Sequence, residues 1–385
     1  MKNLVRLFMP QWLINYFWHL PMAILANVFY GFPARGLKVV GVTGTDGKTT
    51  TVNMIYQILK AAGKKVSMIS TLNATGFHVT SPDPFVIQKF VKDHGSEYLV
   101  LEVTSHAIDQ FRFWGIKFEV GVITNITHEH LDYHKTFENY LQTKLKLLKS
   151  VKFAVINQNL SQYVKRSDKL LAKIITFGLE KSDYDKRKYN FKLKIPGDYN
   201  IENAQAALAV ANVLEIDQQI AKKTLENFEG LTGRMEEVKN SRGIKIIIDF
   251  AHTPNGLEQA LRTLRKETKG KLIAVFGSAG QRDEGKRPLM GEIAIRFADY
   301  VVITAEDPRG ELEYINKQII QGIKKGSNFF VIDDRQKAIN FAINKLAKSG
   351  DTVGIFGKGH EKSMNIDGIH EIPWSDLEAV KKVLK

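Results

Sequence analysis

The chain has 385 residues, of which 44% are hydrophobic and 25% charged, so it is globular and too long for one ordinary core. It has a formal net charge of +14 and no cysteine, which excludes disulfides, thiolate catalysis and cysteine-ligated metal, and fits a reducing compartment. The lysines are scattered, without a recognition module or a basic stripe interleaved with aromatic residues. We therefore expect solvated basic faces and no nucleic-acid partner.

An apolar segment opens the chain. Residues 7–34 contain no Asp, Glu, Lys or Arg, but Pro21 and several polar residues interrupt the run, and no signal-peptide cleavage site follows. The pattern predicts two helices broken near Pro21. Three interpretations stay open: packing on the nucleotide-binding domain, peripheral membrane contact with Lys2, Arg6 and Arg35 at the headgroups, or a spanning helix.

A glycine-rich loop follows. A β-branched run predicts a buried strand before it, and apolar residues at helical spacing predict a helix after it. In a strand–loop–helix unit, Gly44 and Gly47 let backbone N–H groups point at an anion. Lys48 adds a charge near the terminal phosphates, and the Thr49 hydroxyl can reach Mg²⁺. The loop predicts ATP binding.

Two α/β units are predicted along the rest of the chain, because short aliphatic runs alternate with helical patterns. Strands of the first are predicted at residues 37–42, 65–69, 98–103, 120–125 and 153–157. Strands of the second are predicted at 244–250, 272–276, 300–304, 329–332 and 352–356, with helices at 257–265 and 335–346. The predicted domains are an apolar helical segment, a P-loop-type central domain with a mostly parallel sheet and a C-terminal Rossmann-like domain, over residues 1–36, 37–232 and 233–385.

Ligand-binding side chains follow the ends of the predicted strands. Glu102 ends the third strand, opposite the phosphate loop, where a carboxylate can hold Mg²⁺. Residues 127–134 are dense in histidine and carboxylate groups, but His130 and His134 lack the spacing of a His-Glu-x-x-His zinc site. Both stretches are candidate parts of an active site.

Several short motifs follow one another from about residue 37 to the C-terminus. They are Gly-Thr-Asp-Gly-Lys-Thr-Thr-Thr at 44–51, Thr-Ser-Pro-Asp at 80–83, Leu-Glu-Val-Thr-Ser-His at 101–106, His-Leu-Asp-Tyr-His at 130–134, Gly-Arg-Met-Glu at 233–236, Asp-Phe-Ala-His-Thr-Pro at 249–254, Asp-Pro-Arg at 307–309 and Gly-Lys-Gly-His-Glu at 357–361. In these motifs the sequence resembles the Mur ligase family, and most closely its tripeptide-forming branch, which builds the peptide stem of the bacterial cell wall.

The resemblance implies an ATP-dependent carboxylate–amine ligase that works through an acyl phosphate with two Mg²⁺ ions. It implies a muramoyl-Ala-Glu acceptor and a diamino acid as substrates, and hence a role in peptidoglycan synthesis, cell-wall biogenesis, cell shape and cell division. A cytoplasmic monomer is expected, with possible membrane association through residues 7–34. Lys144 falls where the family has a carbamylated lysine that supports the second metal.

The resemblance also implies site residues. The implied catalytic residues are Lys48, Glu102, His130 and Lys144, and the implied metal ligands are Thr49, Glu102, His130 and Lys144. ATP would contact Gly44, Thr45, Gly47, Lys48, Thr49, Thr50, Asn125, Asn203 (adenine), Arg234 (phosphates) and Asp249 (ribose). The muramyl peptide would contact Thr80, Ser81, Ser105 and Arg112. The remaining substrate contacts would be Arg287, Asp307, Arg309, Gly357 and Glu361, of which Arg309 would take the carboxylate of the amino acid.

Two departures from the family pattern leave the substrates open. Glu306-Asp307-Pro308-Arg309 stands where the family shows Asp-Asn-Pro-Arg, so the choice between diaminopimelate and lysine is open, and Arg309 favours diaminopimelate. Ahead of the phosphate loop stands only the apolar segment, where the resembled ligase has a uridine-binding domain. We therefore expect that domain to be missing, and the acceptor to carry either UDP or a lipid handle.

Two other functions share some of these features. A ligase similar to folylpolyglutamate synthase also has a short segment before its loop, although residues 49–51 and 130–134 match the cell-wall branch better. A P-loop NTPase acting on nucleic acid would account for the loop and the net charge, but not for the C-terminal motifs.

Overall fold

The computed structural model describes residues 9–72, 81–165, 171–189 and 192–385. The chain forms two compact α/β units. The first comprises the described residues up to Ile126 together with Glu138–Lys194 and Tyr199–Phe228. The second comprises Thr127–Phe137, Ile195–Asp198 and Glu229–Lys385. The predicted fold class is confirmed, since both units are built on mostly parallel sheets.

The first unit contains a six-stranded parallel sheet. Its strands are β1 Lys38–Thr43, β2 Val66–Ile69, β3 Tyr98–Glu102, β4 Phe118–Ile123, β5 Phe153–Asn157 and β6 Lys173–Phe177. Their order is β2-β3-β1-β4-β5-β6, which puts β1 at the centre between β3 and β4. In β1 and β3, residues on both faces are buried, as expected for a sheet covered by helices on each side. The carboxyl ends of β1, β3 and β4 therefore meet at one edge.

Helices cover this sheet. They are Lys48–Ala61, Pro84–His94, Ser105–Asp109, Phe137–Leu145, Ser161–Lys165, Asp198–Val213 and Gln218–Glu226, with 3₁₀ turns at Lys146–Ser150 and Gln158–Leu160. Side-chain caps fix several of their starts: the Asp83 carboxylate accepts from Phe85 N–H, and the Thr104 hydroxyl accepts from Ala107 N–H. The caps define where the chain turns from strand to helix.

The N-terminal segment is helical from Gln11 to Tyr30, and it differs from the prediction at Pro21. Helical turns Gln11–Ile14 and Leu20–Tyr30 are joined by a π-helical stretch, Asn15–His19, instead of a break. Pro21 lies in the first turn of Leu20–Tyr30, where the loss of its N–H is tolerated. Over the described ranges, every helix is too short or too polar to cross a bilayer.

The second unit contains another six-stranded sheet. Its strands are β7 Glu236–Val238, β8 Lys245–Asp249, β9 Leu272–Phe276, β10 Tyr300–Ile303, β11 Phe329–Val331 and β12 Thr352–Phe356, in the order β11-β10-β9-β12-β8-β7. Only the pairing of β7 with β8 is antiparallel. A hairpin, β13 Ser363–Asn365 and β14 Glu371–Pro373, stands apart from the sheet; β14 is exposed, whereas Met364 and Asn365 of β13 are buried.

Helices also cover the second sheet. They are Leu131–His134, Pro254–Glu267, Lys286–Phe297, Leu312–Gln321, Arg335–Phe341 and Asp376–Leu384, with a π-helical turn at Ala342–Leu346. Arg335, which is fully buried, donates to both carboxylate oxygens of Asp376 at 2.8 Å and to the carbonyls of Ala305 and Phe356. This one side chain ties the C-terminal helix to the ends of β10 and β12.

Candidate active site

The phosphate loop is closed by residues that follow β4. Thr45 N–H donates to the Asn125 carbonyl at 2.8 Å, and Asp46 N–H donates to Asn125 Oδ1 at 2.9 Å. Thr124 Oγ1 donates to the Asp46 carbonyl at 2.6 Å. Gly44 has φ 150°, and a Cβ there would lie 1.8 Å from Thr124 Oγ1, so only glycine fits. Asn125, predicted to contact the nucleotide, holds the shape of the loop.

The helix Lys48–Ala61 begins directly after Gly47, which has φ 82°. The first N–H groups of such a helix lack partners within the helix and carry the positive end of its dipole, so they favour an anion. The Lys48 ammonium donates to the carbonyls of Gly44 at 3.1 Å and Thr45 at 2.7 Å, which places its charge over the loop. This arrangement suits the phosphates of a nucleotide.

Glu102, at the end of β3, lies beside the start of this helix. Thr49 Oγ1 is 3.1 Å from both of its carboxylate oxygens, and Thr71 donates to Oε2 through its N–H at 2.9 Å and its hydroxyl at 3.0 Å. A carboxylate next to a hydroxyl supplies the hard oxygen donors that Mg²⁺ prefers, so Thr49 and Glu102 fit the ion. The described part of the chain contains no cluster of three or more His, Asp or Glu side chains able to hold a metal. Phosphate and water oxygens would then complete the coordination, as is usual for Mg²⁺.

Lys144 is buried beneath the phosphate loop. Its Nζ donates to the Gly44 carbonyl at 2.7 Å, is 3.4 Å from Thr43 Oγ1, and lies 4.6 Å from the centre of the Tyr140 ring. Only 1% of the residue is exposed. In sequence this lysine looks like one of several on a basic helix, but the fold places it in contact with the phosphate loop.

Asn203 also contacts the phosphate loop, from the helix Asp198–Val213. Its Oδ1 accepts from Thr51 Oγ1 at 3.2 Å, and a Cβ on Gly47 would lie 2.4 Å from the same oxygen. Asn203 therefore fixes the point where the loop becomes helix. The adenine contact implied by the resemblance stays a prediction.

Three of the residues predicted to bind the acceptor lie around the end of β3. Ser81 Oγ donates to the Glu102 carbonyl at 3.1 Å, and the Arg112 guanidinium donates to the Ser81 carbonyl and, at 2.7 Å, to Gln110 Oε1. Ser105 is buried and begins the helix Ser105–Asp109. The fourth residue, Thr80, lies outside the described residues.

In the second unit Arg234 lies over the ring of Phe250, the residue next to Asp249 in the sequence. The Arg234 guanidinium lies 4.5 Å from the centre of the Phe250 ring, and the Asp249 carboxylate accepts from Met235 N–H at 2.7 Å. His360 lies on the same ring, with 4.9 Å between ring centres. Burial, with the nearby charges of Arg234 and Lys358, lowers the pKa of His360 to about 3, so this imidazole is neutral at physiological pH.

A second cluster in this unit combines opposite charges. Lys358, almost fully buried, lies 2.9 Å from Asp307 Oδ1 and 2.5 Å from Glu361 Oε2. Burial alone would lower the pKa of Lys358, but these two carboxylates outweigh it and raise the pKa. Arg309, with φ 50°, lies 4.0 Å from Asp307 Oδ2. A site that offers both cationic and anionic groups suits an amino acid, which carries both charges itself.

Glu306 is buried next to this cluster. A Cβ on Gly357, which has φ 105°, would lie 2.7 Å from Glu306 Oε2, and that oxygen has no hydrogen-bond partner among the described residues. Burial raises the pKa of Glu306 to about 7, against the opposing effect of Lys286, Lys358 and Arg335. Gly357 thus packs against a carboxyl group that is partly protonated at neutral pH.

Two further residues predicted for the site, Arg287 and His130, do not join the clusters described above. Arg287 is fully buried and donates to Gln318 Oε1 at 2.5 Å and to the Ala279 carbonyl at 3.0 Å, so its side chain is enclosed by protein. His130 has φ 58° and precedes the turn Leu131–His134. Its segment, 127–137, belongs to the second unit, whereas Lys144 and Glu102 belong to the first.

Some residues of these clusters carry only a weak signal in the sequence. Lys358 lies in a motif already noted, but nothing in the motif shows that the lysine turns inward between two carboxylates. Thr71 lies outside every motif, so no sequence pattern predicts its hydrogen bonds to Glu102. Lys286, buried and 3.1 Å from Glu129, attaches segment 127–137 to the second unit. Only the fold brings such distant residues together.

Two family models match this chain over most of its length. The model for the Mur ligase middle domain matches residues 42–211, and the model for the Mur ligase glutamate ligase domain matches residues 233–359. This chain belongs to the Mur ligase family. The predicted resemblance is confirmed, and with it the prediction of an ATP-dependent amino acid ligase.

Known Mur ligases are similar to this chain over more than nine tenths of its length. UDP-N-acetylmuramoyl-L-alanyl-D-glutamate--2,6-diaminopimelate ligase of Clostridium botulinum is 37% identical over 94% of this chain and 81% of its own length. The enzyme of the same name from Aquifex aeolicus is 38% identical over 93% of this chain and 80% of its own length. A solved structure of a ligase of this name superposes with a TM-score of 0.59 at 30% identity, covering 91% of this chain and 79% of the other.

Replacing Glu102 tests the proposed metal site of this Mur ligase. We expect Glu102→Gln to weaken ATP binding about 10–100-fold in the presence of Mg²⁺, because the variant loses an anionic oxygen ligand. Binding is measured by isothermal titration calorimetry with Mg²⁺ and again with EDTA. The exposed Glu97→Gln, near the other end of the same strand, is the control and should bind as the wild type does. An equal loss in EDTA would show that Glu102 acts only on the loop.

The raised pKa of Glu306 predicts a pH-dependent stability. Because folding favours the protonated carboxyl group, its contribution is complete below pH 4.5 and is lost as pH rises to about 7. Between these pH values, the unfolding free energy of the wild type should fall by about 3 kcal/mol more than that of Glu306→Gln, whose side chain cannot ionise. Urea denaturation at pH 5 and pH 8 measures it, with the exposed Glu313→Gln as control. Parallel pH profiles for wild type and Glu306→Gln would refute the assignment.

Proposed function

We propose that this chain joins diaminopimelate to the glutamate carboxylate of a UDP-linked muramoyl-Ala-Glu acceptor, with ATP as the energy source. The observation that carries the proposal is the Asp307–Lys358–Glu361 cluster with Arg309, in a chain whose relatives bear the name of diaminopimelate ligases. The reaction belongs to peptidoglycan precursor synthesis. We expect a monomer acting in the cytoplasm.

In the first step, a carboxylate oxygen of the acceptor forms a bond to the γ-phosphorus of ATP while the bond to ADP breaks. The product is an acyl phosphate. Lys48 and the N-terminus of the helix Lys48–Ala61 would hold the phosphates and stabilise the negative charge that shifts towards ADP. Mg²⁺ held by Thr49 and Glu102 would neutralise further phosphate charge. Ser81, Ser105 and Arg112 would orient the acceptor at the end of β3.

In the second step, the amine of the diamino acid attacks the acyl carbon. The C–N bond forms, the C–O bond to phosphate breaks, and the nitrogen loses one proton. Arg309 would bind a carboxylate of the amino acid as a bidentate pair, and Asp307 and Glu361 would accept from its distal ammonium. Diaminopimelate and lysine both carry that ammonium. Only diaminopimelate has a second carboxylate, beside the distal ammonium, which Arg309 could bind.

We further propose that Lys144 is carbamylated and that the carbamate is a metal ligand; His130, in the second unit, stays a predicted metal ligand. A neutral lysine amine takes up CO₂ and releases a proton, and the resulting carbamate carries a negative charge. One N–H remains on the carbamate nitrogen and can keep the hydrogen bond to the Gly44 carbonyl. The buried position under the phosphate loop supports this proposal.

The dependence of ADP release on both substrates tests the proposed reaction. With ATP and Mg²⁺, we expect turnover only when UDP-MurNAc-Ala-Glu and diaminopimelate are both present, and little with lysine. ADP release is followed by a coupled spectrophotometric assay in which each substrate is omitted in turn. Turnover with folate and glutamate, or ATP hydrolysis stimulated by DNA or RNA, would contradict the proposal in favour of one of the other two functions.

A variant at Arg309 tests the amino acid site separately. We expect Arg309→Met to raise the KM for diaminopimelate at least about tenfold and to leave the KM for ATP unchanged, because a bidentate ion pair is lost. The exposed Arg296→Met serves as the matched control. An unchanged KM for diaminopimelate would remove Arg309 from the substrate site.

A further inference from the structure

The helical segment Gln11–Tyr30 has an inverted distribution of polar and apolar side chains. Its buried residues are small or polar: Asn15, Ala23, Ala26 and Asn27. Its outward face is aromatic and aliphatic, and each of these side chains is more than half exposed: Trp12, Tyr16, Phe17, Trp18, Val28 and Phe29. A helix that packs on a protein in water normally buries its apolar face. The outward face, called here the aromatic face, therefore requires another explanation.

Buried asparagines fix this segment on the first unit. Asn15 Nδ2 donates to Asp109 Oδ2 at 2.7 Å, and Asn27 Nδ2 donates to the Trp114 carbonyl at 2.7 Å. A Cβ on Gly115 would lie 2.3 Å from Asn27 Oδ1, so the fit there is close. These contacts hold the segment in one orientation. The aromatic face is consequently a fixed surface feature about 30 Å long.

Basic residues lie at the edge of the aromatic face. No Asp, Glu, Lys or Arg occurs from residue 7 to 34. Exposed Arg35 lies over the Phe32 ring at 4.1 Å, and exposed Lys92 lies 5.8 Å from the centre of the Tyr30 ring. The acids on this side of the unit are engaged: Asp109 pairs with Lys146 at 3.4 Å, Asp93 pairs with Lys89 at 3.2 Å, and the Asp83 carboxylate caps the helix Pro84–His94. The whole chain has a formal net charge of +14.

We propose that the aromatic face docks on the surface of a bilayer that contains anionic lipid. Trp and Tyr favour the boundary between headgroups and acyl chains, and basic residues at the edge of such a face are attracted to anionic headgroups. The face lies in the interface and does not cross it, in agreement with the lengths of the described helices. A polar partner protein would leave the aromatic side chains without apolar contacts, and a second copy of the chain would bring two sets of positive charges together.

Vesicle sedimentation of the full chain tests this docking. We expect the wild type to bind vesicles of phosphatidylglycerol and phosphatidylcholine, to bind pure phosphatidylcholine at least about tenfold more weakly, and to lose part of its binding at high salt. Tryptophan fluorescence should be quenched by lipids brominated on the acyl chain, because Trp12 and Trp18 would reach the acyl boundary. No binding to the anionic vesicles, or no quenching, would overturn the proposal.

Charged substitutions locate the surface. The double variant with Phe17→Asp and Phe29→Asp should bind the anionic vesicles at least about tenfold more weakly, while Ile369→Asp, at an exposed apolar residue of the second unit, should bind as the wild type does. Circular dichroism and ATP binding verify that each variant is folded. Equal vesicle binding by wild type and double variant would overturn the proposal. A third outcome would also overturn it: the wild type forms a concentration-dependent dimer that does not bind vesicles, and the double variant does not dimerise. A second copy would then cover the face.

Discussion

The buried carboxylate of Glu102 is the contact on which the nucleotide site of the first unit depends. It receives hydrogen bonds from Thr49 at the start of the phosphate-loop helix and from Thr71 after β2. Its backbone carbonyl receives one from Ser81, on the side of the acceptor residues. A buried charge without such partners would cost several kcal/mol. One residue thus connects the phosphate loop with the residues predicted to bind the acceptor, and its carboxylate would favour a cation beside bound phosphates.

The second unit is organised around a buried cation instead. Lys358 is enclosed between Asp307 and Glu361, with Arg309 4.0 Å from Asp307, so the cluster contains two cations and two anions. Removing the buried Lys358 would leave two neighbouring carboxylates without their cation. Such a cluster is poorly suited to apolar ligands. Its arrangement of charges supports selection of an amino acid, and of one with an additional charged end.

Much of the fold follows from local sequence patterns. The ten predicted strands lie within two residues of the observed ones, because buried parallel strands are continuous aliphatic runs between glycines and polar turns. The sequence analysis does not predict β6, β7 or the hairpin β13–β14. Glu236–Val238 carries two glutamates, and the hairpin strands are only three residues long, too short for an alternating pattern. The strand–loop–helix unit at residues 38–61 follows from the same patterns, whereas the roles of Lys48, Thr49 and Glu102 stay predictions. By contrast, the positions of Lys144, Lys358 and Thr71 depend on contacts between residues far apart in the sequence. The sequence of residues 11–30 predicts an apolar helical segment, but not that its apolar side chains face outward.

Transfer of oxygen from the acceptor to phosphate tests the central claim most directly. If the acceptor carboxylate is labelled with ¹⁸O and the reaction runs with ATP, Mg²⁺ and diaminopimelate, an acyl phosphate leaves one labelled oxygen on the inorganic phosphate when the amine displaces it. The account predicts one ¹⁸O per phosphate released, detected by ³¹P NMR. Unlabelled phosphate would mean that water attacks ATP, and would contradict the account.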